Sequence, residues 1–187
     1  MDVKYILRSF KIFLILWAML VVFTSAARGD APSREYEVKA AMICNFAQFV
    51  EWPGDAFESE SSPLVVEVVG NNPFGDALDQ VAANKRVGGR AIVVNRVKTA
   101  DKIEPCHILF VANNQEANLA AIMEKVRGRA VLTLGECDSF PWSGGIIRFY
   151  TSEGKIRFEA NVKAAEAARL KISSKLLKLA RIFDPQK

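Results

Sequence analysis

Apolar and polar positions along this chain change period several times, and each change marks an element. The first feature has no period at all. Ile12 to Phe23 is an uninterrupted apolar run, preceded by Lys4, Arg8 and Lys11 and followed by the small residues Thr24-Ser25-Ala26-Ala27. A basic start, an apolar centre and a small-residue exit make a secretory signal peptide, and the run is too short for a spanning helix, which needs about 20 residues. Cleavage after Ala26 or Ala27 assigns residues 1–27 to a leader and residues 28–187 to one exported domain with no insertion in the membrane afterwards.

A helical pattern follows. Ser33 is the expected N-cap, Glu35 and Glu37 suit the first turn, and the helix is predicted to reach Glu51 and stop before Trp52-Pro53-Gly54. Its apolar positions fall on more than one stripe: Tyr36, Ala40, Ile43, Ala47 and Val50 on one, Val38, Met42 and Phe49 on another. So wide an apolar arc asks for cover on two sides, from the domain itself or from a second subunit. Leu64 to Val69 is nearly continuous and β-branched, as in a buried strand. Beyond it the spacing predicts a helix over 76–84, a strand over 91–97, a strand over 107–112, a helix over 116–126 and a strand over 130–134. A glycine- and aromatic-rich loop spans Gly135 to Gly145. Residues 146–150 and 155–160 flank a turn at Gly154, which reads as an antiparallel hairpin. Two helices, over 162–168 and 174–183, end the chain, the last with Ile172, Leu176, Leu179 and Phe183 in one stripe. Strands and helices in alternation, then a hairpin, predict a single α/β domain. Its sheet is mixed, with helices on both faces and a C-terminal antiparallel hairpin followed by helices.

Composition narrows the function more than the fold. The chain is 50% apolar, enough for a sizeable core, and carries a formal charge of +4. Residues 1–27 contain three of the 25 basic and one of the 21 acidic groups, so the exported part is nearly balanced at +2, which argues against a nucleic-acid binder. Three cysteines, Cys44, Cys106 and Cys137, allow at most one disulfide within the chain, and their spacing fits no zinc site. Cys44 reads as a small buried residue.

Candidate chemistry is sparse. His107 is the only histidine, expected to be packed or hydrogen-bonded in a central strand. As strand neighbours, Cys106 and His107 would point to opposite faces and could not form a thiolate–imidazole pair. The sequence contains no H-E-x-x-H, no G-x-S-x-G and no paired-carboxylate arrangement, so no catalytic machinery, metal site or cofactor is read from it. Gly70-Asn71-Asn72-Pro73-Phe74-Gly75 occupies the place of a phosphate loop but lacks its glycine spacing, and Pro73 removes an amide. A tight turn is the preferred reading; still, Asn71, Asn72, Phe74, Asn113 and Asn114 lie after strand ends, where open α/β sheets bind ligands, and could line a small polar cleft. Phe140-Pro141-Trp142 offers either interface anchors or a plug over the sheet edge. Lys171, Lys175 and Lys178 on the last helix read as a solvated outer face.

Several segments, taken in order, resemble one family. They are Val38-Lys39-Ala40-Ala41 with Asn45-Phe46-Ala47-Gln48-Phe49-Val50-Glu51-Trp52-Pro53, then 70–75, then Cys106-His107-Ile108-Leu109-Phe110. Leu132-Thr133-Leu134 with Phe140, Gly144-Gly145-Ile146-Ile147, Phe158-Glu159-Ala160-Asn161 and 170–180 complete the set. The set is similar to the YfiR family of periplasmic proteins. The resemblance implies a periplasmic, non-enzymatic α/β domain, often a homodimer. Such a domain restrains an inner-membrane diguanylate cyclase by binding its periplasmic sensor region, and so lowers cyclic di-GMP and biofilm formation. It implies as further partners an outer-membrane lipoprotein that removes the repressor, and in some relatives a histidine kinase or another membrane sensor. The alternative reading is a small-ligand sensing module feeding such a sensor. The partner or dimer contacts expected are Phe46, Phe49, Trp52, Pro53, Phe140 and Trp142. Cys106 and Cys137 are the candidate redox residues. If the strands beside them are parallel neighbours, they fall at opposite ends, and no bridge between the two is expected within one chain.

Overall fold

Strand and helix boundaries follow the sequence periods closely in the middle of the chain and depart from them near both ends. The computed structural model describes residues 34–185, so the expected leader (1–27) and the expected cap at Ser33 lie outside the described residues. In chain order the elements are helix α1 (Arg34–Phe46), β1 (Val50–Glu51), β2 (Leu64–Val69), α2 (Ala77–Ala83), β3 (Arg86–Val87), β4 (Arg90–Val97), β5 (Ile108–Val111) and α3 (Leu119–Val126). They continue as β6 (Leu132–Gly135), β7 (Ile147–Ser152), β8 (Lys155–Ala160), α4 (Val162–Ala167), β9 (Lys171–Ile172), α5 (Ser174–Leu177) and β10 (Arg181–Ile182). None of the described helices is long and apolar enough to cross a membrane.

One mixed sheet runs in the order β10-β8-β7-β6-β5-β2-β4-β3, and β1 pairs separately with β9. Strands β4, β2, β5, β6 and β7 are parallel neighbours in turn, while β7–β8 is the antiparallel hairpin expected from Gly154. Period-2 alternation divides the core between the two faces. Val66, Ile108 and Leu132 stand in register, as do Val68, Phe110 and Leu134, and they pack on Ala40, Ile43 and Phe46 of α1 and Leu78 of α2. The opposite face presents Val69, Leu109 and Val111 to Leu119, Ile122 and Val126 of α3. Helices therefore cover both faces of a mixed sheet, which is the α/β architecture the sequence predicts.

Two boundaries need correcting. The first helix does not reach Glu51; it ends at Phe46, passes through a 3-10 turn, and Val50 takes extended backbone (φ −118°, ψ 133°). Val50–Glu51 pairs instead with Lys171–Ile172, and the Ser173 N–H donates to the Phe49 carbonyl at 2.8 Å. A partner more than 100 residues away along the chain overrides the local helical period. The last helix is likewise only Ser174–Leu177. Arg181–Ile182 becomes β10, parallel to β8, with the Phe183 N–H donating to Ala160 at 2.9 Å and the Arg181 Nε–H donating to Glu159 at 2.9 Å. The expected stripe is thereby broken, and Leu179 points outward, 74% exposed.

Candidate functional site

The two apolar stripes of α1 have different fates. Ala40, Ile43 and Ala47 are buried in the domain core, with Val50 beyond the helix. Val38 is 44% exposed, and Met42 and Phe49 are half-buried. The fold thus covers one stripe and leaves Val38 of the other largely to solvent, while Met42 and Phe49 pack against the edge of the core. Phe49, Trp52 and Pro53 gather at the exit of this helix, all partly exposed.

Other expected contact residues are core residues. Phe46 stacks on Phe149 (5.8 Å) and packs on Phe158 (4.7 Å), so it is no surface contact. Phe140 is 0% exposed, because Gly135 and Gly145 close on its ring from positions where a side chain has no room. A Cβ on Gly145 would come within 2.2 Å of the Phe140 ring, and one on Gly135 within 2.4 Å. This explains the glycines of the loop better than any contact role. Gly145→Ala is expected to cost about 3 kcal/mol by overpacking, whereas Gly144→Ala, at φ +88° in open space, costs about 1 kcal/mol; urea midpoints of the two variants check the order. Trp142, by contrast, is 65% exposed and meets Phe183 edge-on at 5.0 Å, beside edge strand β10.

The asparagine turns make a joint rather than an open cleft. The Asn71 N–H donates to Asn114 Oδ1 at 2.9 Å, which ties the end of β2 to the turn after β5. Gly70 (φ +103°) is required there, since a Cβ would stand 2.5 Å from the same oxygen. Asn72 spends its side chain inside its own turn, donating to the Gly75 carbonyl and accepting from the Phe74 N–H. Phe74 is corrected from a cleft residue to a core residue: it is fully buried edge-on to Phe110 (4.7 Å) and Tyr36 (5.5 Å). Asn113 is exposed in the 3-10 turn over 113–118.

His107 is structural. Its Nδ1 accepts from the Val65 N–H and its Nε2–H donates to the Ala56 carbonyl, both at 3.0 Å, while the ring stacks on Phe57 at 4.2 Å. Burial holds its pKa below the ordinary histidine value, so it stays neutral. Cys106 borders the same cavity of about 430 Å3, together with Arg129 and Arg169. With both imidazole nitrogens engaged, His107 offers the thiol no free base. Burial, reinforced by the carboxylate of Glu67, pushes the Cys106 thiol up to about 12, and burial pushes Cys44 up to about 11. Cys137 is half-buried and accepts from the Ser139 hydroxyl at 3.5 Å. The three cysteines are free, and β5 and β6 are parallel neighbours, so Cys106 ahead of one and Cys137 past the other are offset along the strands by more than a strand length of about 13 Å. Because the thiolate is the reactive form, iodoacetamide at pH 8 is expected to label Cys137 and to spare Cys44 and Cys106 until the protein is unfolded, as read by peptide mass mapping.

Sequence reading passed over two ionic clusters. Lys39 is 4% exposed, pairs with Glu136 and Glu35, and lies over the Tyr36 ring at 4.6 Å; the Tyr36 hydroxyl donates to Glu136 at 3.0 Å. Burial and the neighbouring Glu136 raise the Tyr36 pKa. The second cluster joins Arg148 to Glu159 (2.5 Å) and to Asp138, and Arg181 to Glu159. Burial disfavours the charged form of Glu159, yet hydrogen bonds from Arg148 and Arg181 outweigh it and hold the carboxyl below its usual range. The only signal for the first cluster was a lysine in the apolar stripe beside Tyr36 and Ile43. For the second there was none, since its members become neighbours only through β7, β8, β10 and the loop after β6. Among the described residues no three His, Cys, Asp or Glu side chains converge as a metal site.

A family model described as YfiR/HmsC-like matches residues 36–181. No curated protein matches the chain.

Proposed function

The chain belongs to the YfiR/HmsC-like family, and from that premise we propose that it is a non-catalytic periplasmic regulator that restrains an inner-membrane diguanylate cyclase by binding its periplasmic sensor region. The observation that carries this reading is the exposed Val38 on the second apolar stripe of α1. Val38 is 44% exposed, with half-buried Met42 one turn further along the same helix and half-buried Phe49 in the 3-10 turn that follows it. An apolar surface held on a rigid helix suits a protein partner better than a soluble substrate. The engagement of both His107 nitrogens and the protonated state of Cys106 are in keeping with a regulator that performs no chemistry of its own.

Restraint needs differential binding only. A regulator that binds the inactive sensor more tightly than the active one shifts the population by that ratio, and a near-complete switch takes a preference of about 10⁴-fold. Pairing of two copies and release by an outer-membrane lipoprotein belong to the same reading. Crosslinking in the periplasm, with cyclic di-GMP measured after deletion of the gene, tests it. Capture of a membrane diguanylate cyclase and a rise in cyclic di-GMP are expected. An unchanged nucleotide level with no membrane protein captured would overturn the proposal.

A further inference from the structure

A cavity of about 510 Å3 opens between the exit of α1 and the β3–β4 turn. Val50, Trp52, Phe57 and Leu64 supply apolar walls, and Gln48, Arg86 and Arg90 supply its polar groups. Its volume lies within the roughly 300–1,000 Å3 of small-molecule sites. Two arginines and no acid line it. Arg90 is fixed in place, donating to the carbonyls of Ser59 and Ser62 at 2.7 Å each while its guanidinium lies 3.9 Å from the Phe57 ring centre. Arg86 is exposed and, among the described residues, has no carboxylate partner.

One more observation converges on the same wall. The indole N–H of Trp52 is closed off from solvent without an acceptor, and among the described residues no other side-chain nitrogen or oxygen is buried in that state. Buried donors without partners are rare because each keeps the full cost of losing water. An acceptor brought into the cavity removes that cost once the ring turns toward it.

We propose that this cavity binds a small carboxylate carried on an apolar body. The carboxylate meets Arg86 and the Trp52 N–H, and the body packs against Val50, Phe57 and Leu64. Charge selects an anion, the orphan donor selects an acceptor, and the walls select a ring or branched chain of modest size. This goes beyond regulation by protein contact and does not rest on it, because binding is measured on the purified protein with no partner present.

The test follows the Trp52 indole N–H resonance in ¹⁵N-labelled protein, with Trp142 as the internal reference. Phenylacetate, 3-phenylpropanoate and 4-methylpentanoate are the probes; phenylacetamide and phenethylamine are the neutral and cationic controls. At least one carboxylate is expected to move the Trp52 signal saturably and leave that of Trp142 in place. The amide should bind at least about tenfold more weakly, the amine should give no saturable shift, and Arg86→Ala should weaken the carboxylate at least about tenfold, the scale of one charge-assisted pair. Trp52→Phe keeps the wall and removes the donor, and calorimetry should show weaker binding there too. No saturable shift from any of the three carboxylates, equal response to the controls, or unchanged affinity in Arg86→Ala would each overturn the proposal.

Discussion

Glu136→Ala is expected to lower the unfolding free energy by about 3 kcal/mol. Glu136 is the buried partner of Lys39, which is itself 4% exposed, and it also accepts the Tyr36 hydroxyl. Truncating it strands an ammonium and a hydroxyl beneath the first turn of α1, with only the half-exposed Glu35 carboxylate left to the lysine. The cost comes from the stranded groups and not from the worth of the pair. A variant that removes both charges, Lys39→Met with Glu136→Leu, should therefore recover more than half of the loss. Denaturant unfolding of the two variants gives the comparison. A double variant as unstable as Glu136→Ala would show that the pair itself, and not an unpaired charge, sets the cost. The ion pair also anchors α1 to the loop after β6, so the same variant should loosen the helix that carries the proposed contact face.

What could be read from the sequence divides along physical lines. The central strands were legible because β-branched runs such as Leu64–Val69 and Ile108–Val111 are apolar on both faces, and only a covered sheet satisfies that pattern. The hairpin at Gly154 and the alternation of helices were legible for similarly local reasons. The ends were not. Val50–Glu51 and Arg181–Ile182 are two-residue strands whose partners, Lys171–Ile172 and Glu159–Ala160, lie far away in sequence, and nothing local separates them from one more helical turn. The candidate site fared in the same way. Phe46, Phe74 and Phe140 carry the composition of contact residues, but the sheet and two glycines place them inside. Exposure of Trp142 and partial exposure of Phe49 depend on which neighbours arrive, which composition does not encode. The wide apolar arc of α1 was visible from its spacing; that the domain covers one stripe fully and leaves Val38 of the other open took the fold to show.

Val38→Glu is expected to abolish restraint of the partner while leaving the domain folded. The position is 44% exposed on a helix, glutamate is a good helix former there, and the stability change should stay within about 0.5 kcal/mol. In a desolvated apolar contact the same charge is costly: losses of 2–4 kcal/mol are typical of central contact residues, or roughly 30- to 900-fold in affinity. A regulator whose effect equals its preference for one state loses most of its hold at that price. Cyclic di-GMP in cells carrying Val38→Glu should match the deletion level, with normal amounts of the protein. Val93, 40% exposed on β4, supplies the control: Val93→Glu makes an equal change of charge on a strand instead of α1 and should leave restraint intact. Phe49→Glu should reproduce the Val38 result with a larger loss of stability, because that ring also packs on the core. If Val38→Glu restrained as well as the parent protein, the open stripe of α1 would not be the contact, and the exposed Trp142 beside β10 would be the next surface to alter in the same way.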